Sequence, residues 1–102
     1  MSKPRKMMIC GYEWKIIYKD TYNSQGVWGE THPDSYKIYL DKTLKGEVLE
    51  RVLLHEVIHA ILAMSGIGSH DEVLKPEVEE QICLVLEHQL HLIYSRRIEN
   101  DN

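Results

Sequence analysis

The segment from Val48 to Met64 leaves the rest of the chain little freedom. Val48, Leu49, Val52, Leu53, Leu54, Val57, Ile58, Ala60, Ile61, Leu62 and Met64 are apolar nearly all round a helix, as expected of one buried in a domain core. Yet His55, Glu56 and His59 sit in its middle. Buried without a partner or a metal, such groups would be costly. The run Val48, Val52, His55, His59, Leu62 keeps a 3.6-residue period, which puts both imidazoles on one side.

Histidines at i and i+4 stand one above the other on a helix. Two such rings can close on one tetrahedral Zn²⁺, and the glutamate between them can reach a water on that ion. The competing reading is a pair of core histidines satisfied by carboxylates or carbonyls, with Glu56 at the surface. Two histidines with Glu56 between them favour the metal.

The rest of the chain sets bounds. At 102 residues it makes one domain with a single modest core, and residues 1 to 6 and 99 to 102 read as flexible tails. A net charge of −4 argues against general affinity for nucleic acid or an anionic membrane. No apolar run approaches the roughly 18 residues of a membrane span. The N-terminus lacks a leader-like pattern, so a cytoplasmic protein is expected. Cys10 and Cys83 lack CxxC spacing and sit in apolar contexts, which predicts two buried thiols.

Met7 to Tyr18 alternates imperfectly around Gly11, predicting a strand, a turn and a second strand over Tyr12 to Lys19. Asp20 to Gly29 is turn-rich, with a possible short strand at Val27-Trp28, and Thr31 to Ser35 reads as a loop. Tyr36 to Leu40 reads as a strand. Asp41 or Thr43 is the expected N-cap of the motif helix, and Gly66 and Gly68 its end. A second helix follows from Glu77 to about Arg97, with Val78, Ile82, Cys83, Val85, Leu86, Leu90 and Ile93 as its expected core stripe. Strands followed by two helices predict an α+β fold with a small antiparallel or mixed sheet.

A catalytic zinc takes three protein ligands and leaves one position for water. His55 and His59 supply two. The third is expected from the second helix or the connector before it, where His70, Asp71, Glu79 and Glu80 are available. Glu79 shares a helix face with Ile82, Cys83, Leu86, Leu90 and Ile93, the face read as core. Glu80 lines up with Glu87 and His91, read as more solvated. Glu79 is therefore preferred, with Glu80 and His70 kept open. Glu56 is the expected general base.

Leu54 to Leu62, a glycine-bearing connector, and Glu79 opening an apolar helix together resemble the gluzincin-type core. The chain is most similar to the small zinc metallopeptidases encoded by bacteriophages and prophages, over about Trp14 to Ile93. The metzincin extension is missing, since Ser65 stands six residues beyond His59. The resemblance implies a minimal zincin-like domain with one Zn²⁺ per chain, cleaving a protein or peptide in the cytoplasm of a bacterial host. It also implies that the strand beside the motif helix, Tyr36 to Leu40, offers its edge to an extended substrate. His32, Tyr36, Tyr39 and His70 remain open as oxyanion donors. The rival reading is a zinc-bearing interaction module without turnover.

Overall fold

The computed structural model describes the backbone of residues 3–20, 27–69 and 72–100, and side chains as far as Ile93. It contains strands β1 (Lys6–Ile9), β2 (Tyr12–Lys19), β3 (Gly29–His32) and β4 (Lys37–Asp41), then helices α1 (Gly46–Met64) and α2 (Pro76–Asn100). The fold is α+β, a four-stranded mixed sheet followed by two helices.

The first two strands form the expected hairpin, with Ile9 opposite Tyr12 and Lys6 opposite Lys15. Its two turn residues, Cys10 and Gly11, both have positive φ, 51° and 86°. That is the geometry whose twist matches two paired strands. Cys10 is therefore exposed at the hairpin tip, against the expectation of a buried thiol. Nor do residues 3 to 5 trail free. Lys3 Nζ donates to the Lys42 carbonyl at 2.6 Å, Tyr18 Oη donates to Pro4 O at 2.6 Å, and the Ile16 amide donates to Arg5 O at 2.9 Å.

The strand order is β1-β2-β4-β3. β4 runs parallel to β2, pairing Ile38 with Ile16, and antiparallel to β3, pairing Leu40 with Gly29. Two expectations change here. β3 falls where a turn and a loop were read, because Gly-Glu-Thr-His has no apolar alternation. Pairing with β4 and packing on α1 hold it as a strand instead. β4 is an interior strand, so Tyr36 to Leu40 has no free edge; the outer strand beside α1 is β3.

Inward side chains of the sheet, Ile9, Trp14, Ile16, Ile38 and Leu40, meet Leu44, Leu49 and Ala60 in the core. Each large aliphatic chain buried there contributes about 1.5–3 kcal/mol, so the contact between sheet and α1 dominates stability. Between β4 and α1, Asp41 Oδ1 accepts from the Thr43 amide at 2.8 Å and from Thr43 Oγ1 at 2.5 Å. Those bonds shape the turn rather than cap the helix. α1 starts at Gly46, and Lys45 holds the cap position without a side-chain bond. At the other end Gly66 (φ 75°) donates to Ala63 O at 3.1 Å and Ile67 to Leu62 O at 3.3 Å, the glycine stop read from the sequence.

α2 meets α1 along only part of the expected stripe, keeping Glu79 and Cys83 but turning the larger apolar residues away. Its buried line against α1 is Glu79, Cys83 and Glu87, continued by the mostly covered His91 ring. Arg51 Nε and Nη2 donate to Glu87 Oε2 at 3.1 and 2.9 Å, and His91 lies 3.9 Å from Glu47 and 3.8 Å from Glu50. Leu86, Leu90 and Ile93, expected in the core, are 41%, 43% and 54% exposed. α1 holds α2 by polar pairing, and most of the apolar stripe faces out.

Candidate metal centre

The α1 period brings His55 and His59 together as the sequence requires. Their ring centroids are 5.0 Å apart with planes at 65°, and both rings are largely covered. Across the helix seam, Glu80 spans them: Oε1 lies 2.8 Å from His55 Nε2, and Oε2 lies 3.0 Å from His59 Nε2. Glu79 takes the other nitrogen of His59, with Nδ1 and Oε2 2.5 Å apart. The preferred ligand and its alternate thus both reach the histidine pair, on different nitrogens. His70 and Asp71 lie outside the described residues.

Glu79 is fixed from behind, where the Ser69 amide donates to its Oε1 at 2.6 Å. A Cβ on Gly68 would stand 2.8 Å from that oxygen, so a larger residue there would push the Glu79 carboxylate out of place. Burial pushes the Glu79 carboxyl up. The Ser69 amide and the His59 ring outweigh it and leave the group below its ordinary value. Glu80, with half of its side chain exposed, is less constrained.

Glu56 reaches β3, where it meets Thr31 and lies close to Gly29. It is buried, not at the surface, and Thr31 Oγ1 shares its proton between Glu56 Oε1 at 2.7 Å and Glu56 O at 3.0 Å. Gly29 makes the approach possible, since a Cβ there would stand 3.0 Å from Glu56 Cγ and 3.0 Å from Leu40 Cδ2. Burial raises the proton affinity of Glu56, and Thr31 and the two histidines oppose this only in part.

Cys83 was not foreseen as part of this cluster. One ligand atom each from His55, His59 and Cys83 falls within 4.8 Å of the others. The signal was available, because Cys83 follows Glu79 by four residues and Glu80 by three, which places it on their helix face. Burial, and then the charges of Glu79, Glu80 and Glu56, push its thiol up to about 12.

A cleft of about 470 Å³ opens beside these groups, with Thr31, His32, Glu56, His59, Ser69 and Glu79 in its wall. A second opening of about 440 Å³ lies toward Trp28, Gly29, His55 and Glu80, and Glu56 and His59 line both. Of the other side chains considered, His32 borders the cleft and pairs with Glu30 at 3.0 Å. Tyr36 stacks on Tyr12, and Tyr39 lies under Lys19 Nζ.

The donor set suits a borderline-soft divalent ion. His59 faces a carboxylate on each ring nitrogen, and a neutral imidazole has only one N–H, so the second of these contacts calls for an added proton or a metal ion. No family model, curated protein or solved structure matches the chain. Among the described residues, no helix is long and apolar enough to cross a membrane.

Proposed function

We propose that this chain is a zinc-dependent metallopeptidase. His55 and His59 bind through Nε2, Glu80 is the third ligand, and Glu56 is the general base. The observation that carries the reading is the Glu80 carboxylate spanning both Nε2 atoms, at 2.8 and 3.0 Å. Glu79, the ligand preferred from sequence, takes the orienting role: metal-bound histidines hand their second ring nitrogen to a carboxylate. Zn²⁺ held there would lower the pKa of a water and polarise the scissile carbonyl.

The chain's own groups do the rest. Glu56 Oε1, positioned by Thr31, takes a proton from the attacking water and passes it to the leaving amine. Among the described residues β3, rather than interior β4, is the outermost strand on this side of the sheet, and an extended peptide would pair alongside it. The cleft beside Thr31 and His32 then receives the substrate's side chains. The test compares Glu56→Gln with His55→Ala. The first should keep bound zinc and lose peptide cleavage, and the second should lose the metal. Undiminished cleavage by the Gln variant refutes the general-base role.

One observation favours a second reading. If the Cys83 thiol, within 4.8 Å of both imidazole ligand atoms, binds alongside Glu80, four protein atoms close the coordination sphere. The domain is then a zinc-bearing interaction module without turnover. Cobalt substitution separates the two: an intense near-ultraviolet sulfur-to-cobalt charge-transfer band, absent in Cys83→Ser, belongs to the closed site alone.

A further inference from the structure

The sheet has two unlike faces. α1 packs on one, through Trp14, Ile16, Ile38 and Leu40. The alternate residues point the other way, and among the described residues no helix packs over them. Across this open face Lys6 stands opposite Lys15, Lys15 opposite Lys37, and Lys37 opposite His32. At about 4.8 Å between strands, the row is about 14 Å long. Like charges in directly opposite positions destabilise a sheet. Glu13, 3.8 Å from Lys6, offsets part of this, but Lys15 and Lys37 have no carboxylate partner among the described residues. A groove of about 500 Å³ extends the Lys6 end, with Arg5, Lys6 and Lys15 in its wall against the single acid Glu13. Charge is segregated along the chain as well. Residues 1–42 hold seven lysines and arginines against five acids, and residues 43–102 hold five against eleven.

We propose that this face binds single-stranded nucleic acid, with phosphates on the lysine row and bases against Tyr39 and His32. The net charge of −4 belongs to the helical part of the chain, whereas the sheet presents the complement of a polyanion. Two rings on the same face select a nucleic acid from among polyanions. Tyr39 lies between Ile17 and Glu30 in the row beside the lysines, and the His32 ring meets it edge-on with centroids 4.8 Å apart. Lys19 Nζ covers the Tyr39 ring, 3.9 Å from its centroid. A base stacked on that ring takes its place and releases Lys19 to a phosphate. A duplex keeps its bases stacked inside and gains the phosphate contacts alone. α1 and the candidate metal centre lie across the sheet, so the inference does not depend on the peptidase reading.

Fluorescence anisotropy of a fluorescein-labelled oligothymidylate, titrated with the full chain, tests it. In about 50 mM salt the midpoint should fall below about 100 μM, and three or four neutralised phosphates give a log–log salt slope of about −2 to −3. Lys15→Glu and Lys37→Glu should each weaken binding about tenfold. Neither should lower the urea unfolding midpoint, because each replaces a like-charge pair with an opposite one. Tyr39→Leu should weaken binding about fivefold or more, the loss of one stacked base. No change in anisotropy up to about 100 μM overturns the proposal, and so does undiminished binding by both glutamate variants. A duplex of equal length, a polyglutamate of equal charge or phosphatidylserine vesicles that bind as tightly as the single strand overturn the choice of ligand. Tyr39→Leu binding as the parent does overturns the stacking, and with it the preference for single strands.

Discussion

Glu79 and Glu80 are neighbours in sequence yet contact different nitrogens of the histidine pair, and under the proposed zinc site their replacement should separate cleanly. Glu80→Ala removes the carboxylate spanning His55 Nε2 and His59 Nε2. Structural zinc sites with four ligands bind with about 10–16 kcal/mol, or roughly 3 kcal/mol per ligand, so this loss should weaken zinc by about two orders of magnitude or more. Glu79→Ala leaves both Nε2 atoms in place. It takes the partner from His59 Nδ1 and strands the Ser69 amide, which now donates to Glu79 Oε1 at 2.6 Å. Removing such an outer partner typically costs 10- to 100-fold in metal affinity. The stranded amide adds about 1–3 kcal/mol of lost stability in the metal-free chain. Zinc competition against a chromophoric chelator reads the affinities, and urea unfolding after chelator treatment reads the stability. Glu80→Ala should therefore be the poorer zinc binder and Glu79→Ala the less stable apoprotein. If Glu79→Ala abolishes binding as completely as His59→Ala while Glu80→Ala binds normally, the assignment of the two carboxylates is reversed.

Two further predictions follow from the helix seam and the buried acids. Arg51→Ala leaves the Glu87 carboxylate buried without its guanidinium; discounted for the partial exposure of Arg51, the loss should be about 1 kcal/mol by urea unfolding, and an unchanged midpoint refutes the pairing. In the metal-free protein Glu79 titrates below its ordinary 4.5, so its stabilisation is present above that value and is lost as pH falls through the lower folded value. Glu56 titrates above 4.5, so its contribution has the opposite sign: the fold is favoured below 4.5 and loses stability as pH rises toward the higher folded value. Melting temperatures from pH 3 to 7 should show Glu79→Gln flattening the acid limb and Glu56→Gln gaining on the parent as pH rises. Parallel curves would remove both assignments.

The hairpin, the interior strand, both helices and the histidine pair were legible because each rests on local chemistry. Gly11 marks a turn, an apolar period marks α1, and Gly66 marks its stop. β3 was not legible, because nothing in Gly-Glu-Thr-His asks for a strand; only Leu40, Ile38 and Glu56, distant in sequence, make one of it. α2 misled for a related reason. An apolar stripe indicates that a face wants cover, not which neighbour supplies it. Glu79 and Cys83 do face α1, and Glu80 is the more exposed neighbour, as expected; the error was to place Leu86, Leu90 and Ile93 on that same buried side. In fact α1 offers Glu47, Glu50, Arg51, His55 and His59, a polar face that selects the polar side of α2. Reading the two helices as a pair, with charges matched across the seam, would have turned α2 correctly and brought Cys83 to the histidines.

The two tryptophans occupy contrasting places, Trp14 fully enclosed beneath the sheet and Trp28 43% exposed at the opening beside His55 and Glu80. Their fluorescence should divide accordingly. Trp14 emits at short wavelength and shifts red only when the whole domain unfolds, while Trp28 is open to collisional quenchers and close enough to the histidines to be dimmed by a paramagnetic ion. A single cuvette can therefore follow occupancy and unfolding as two separate signals.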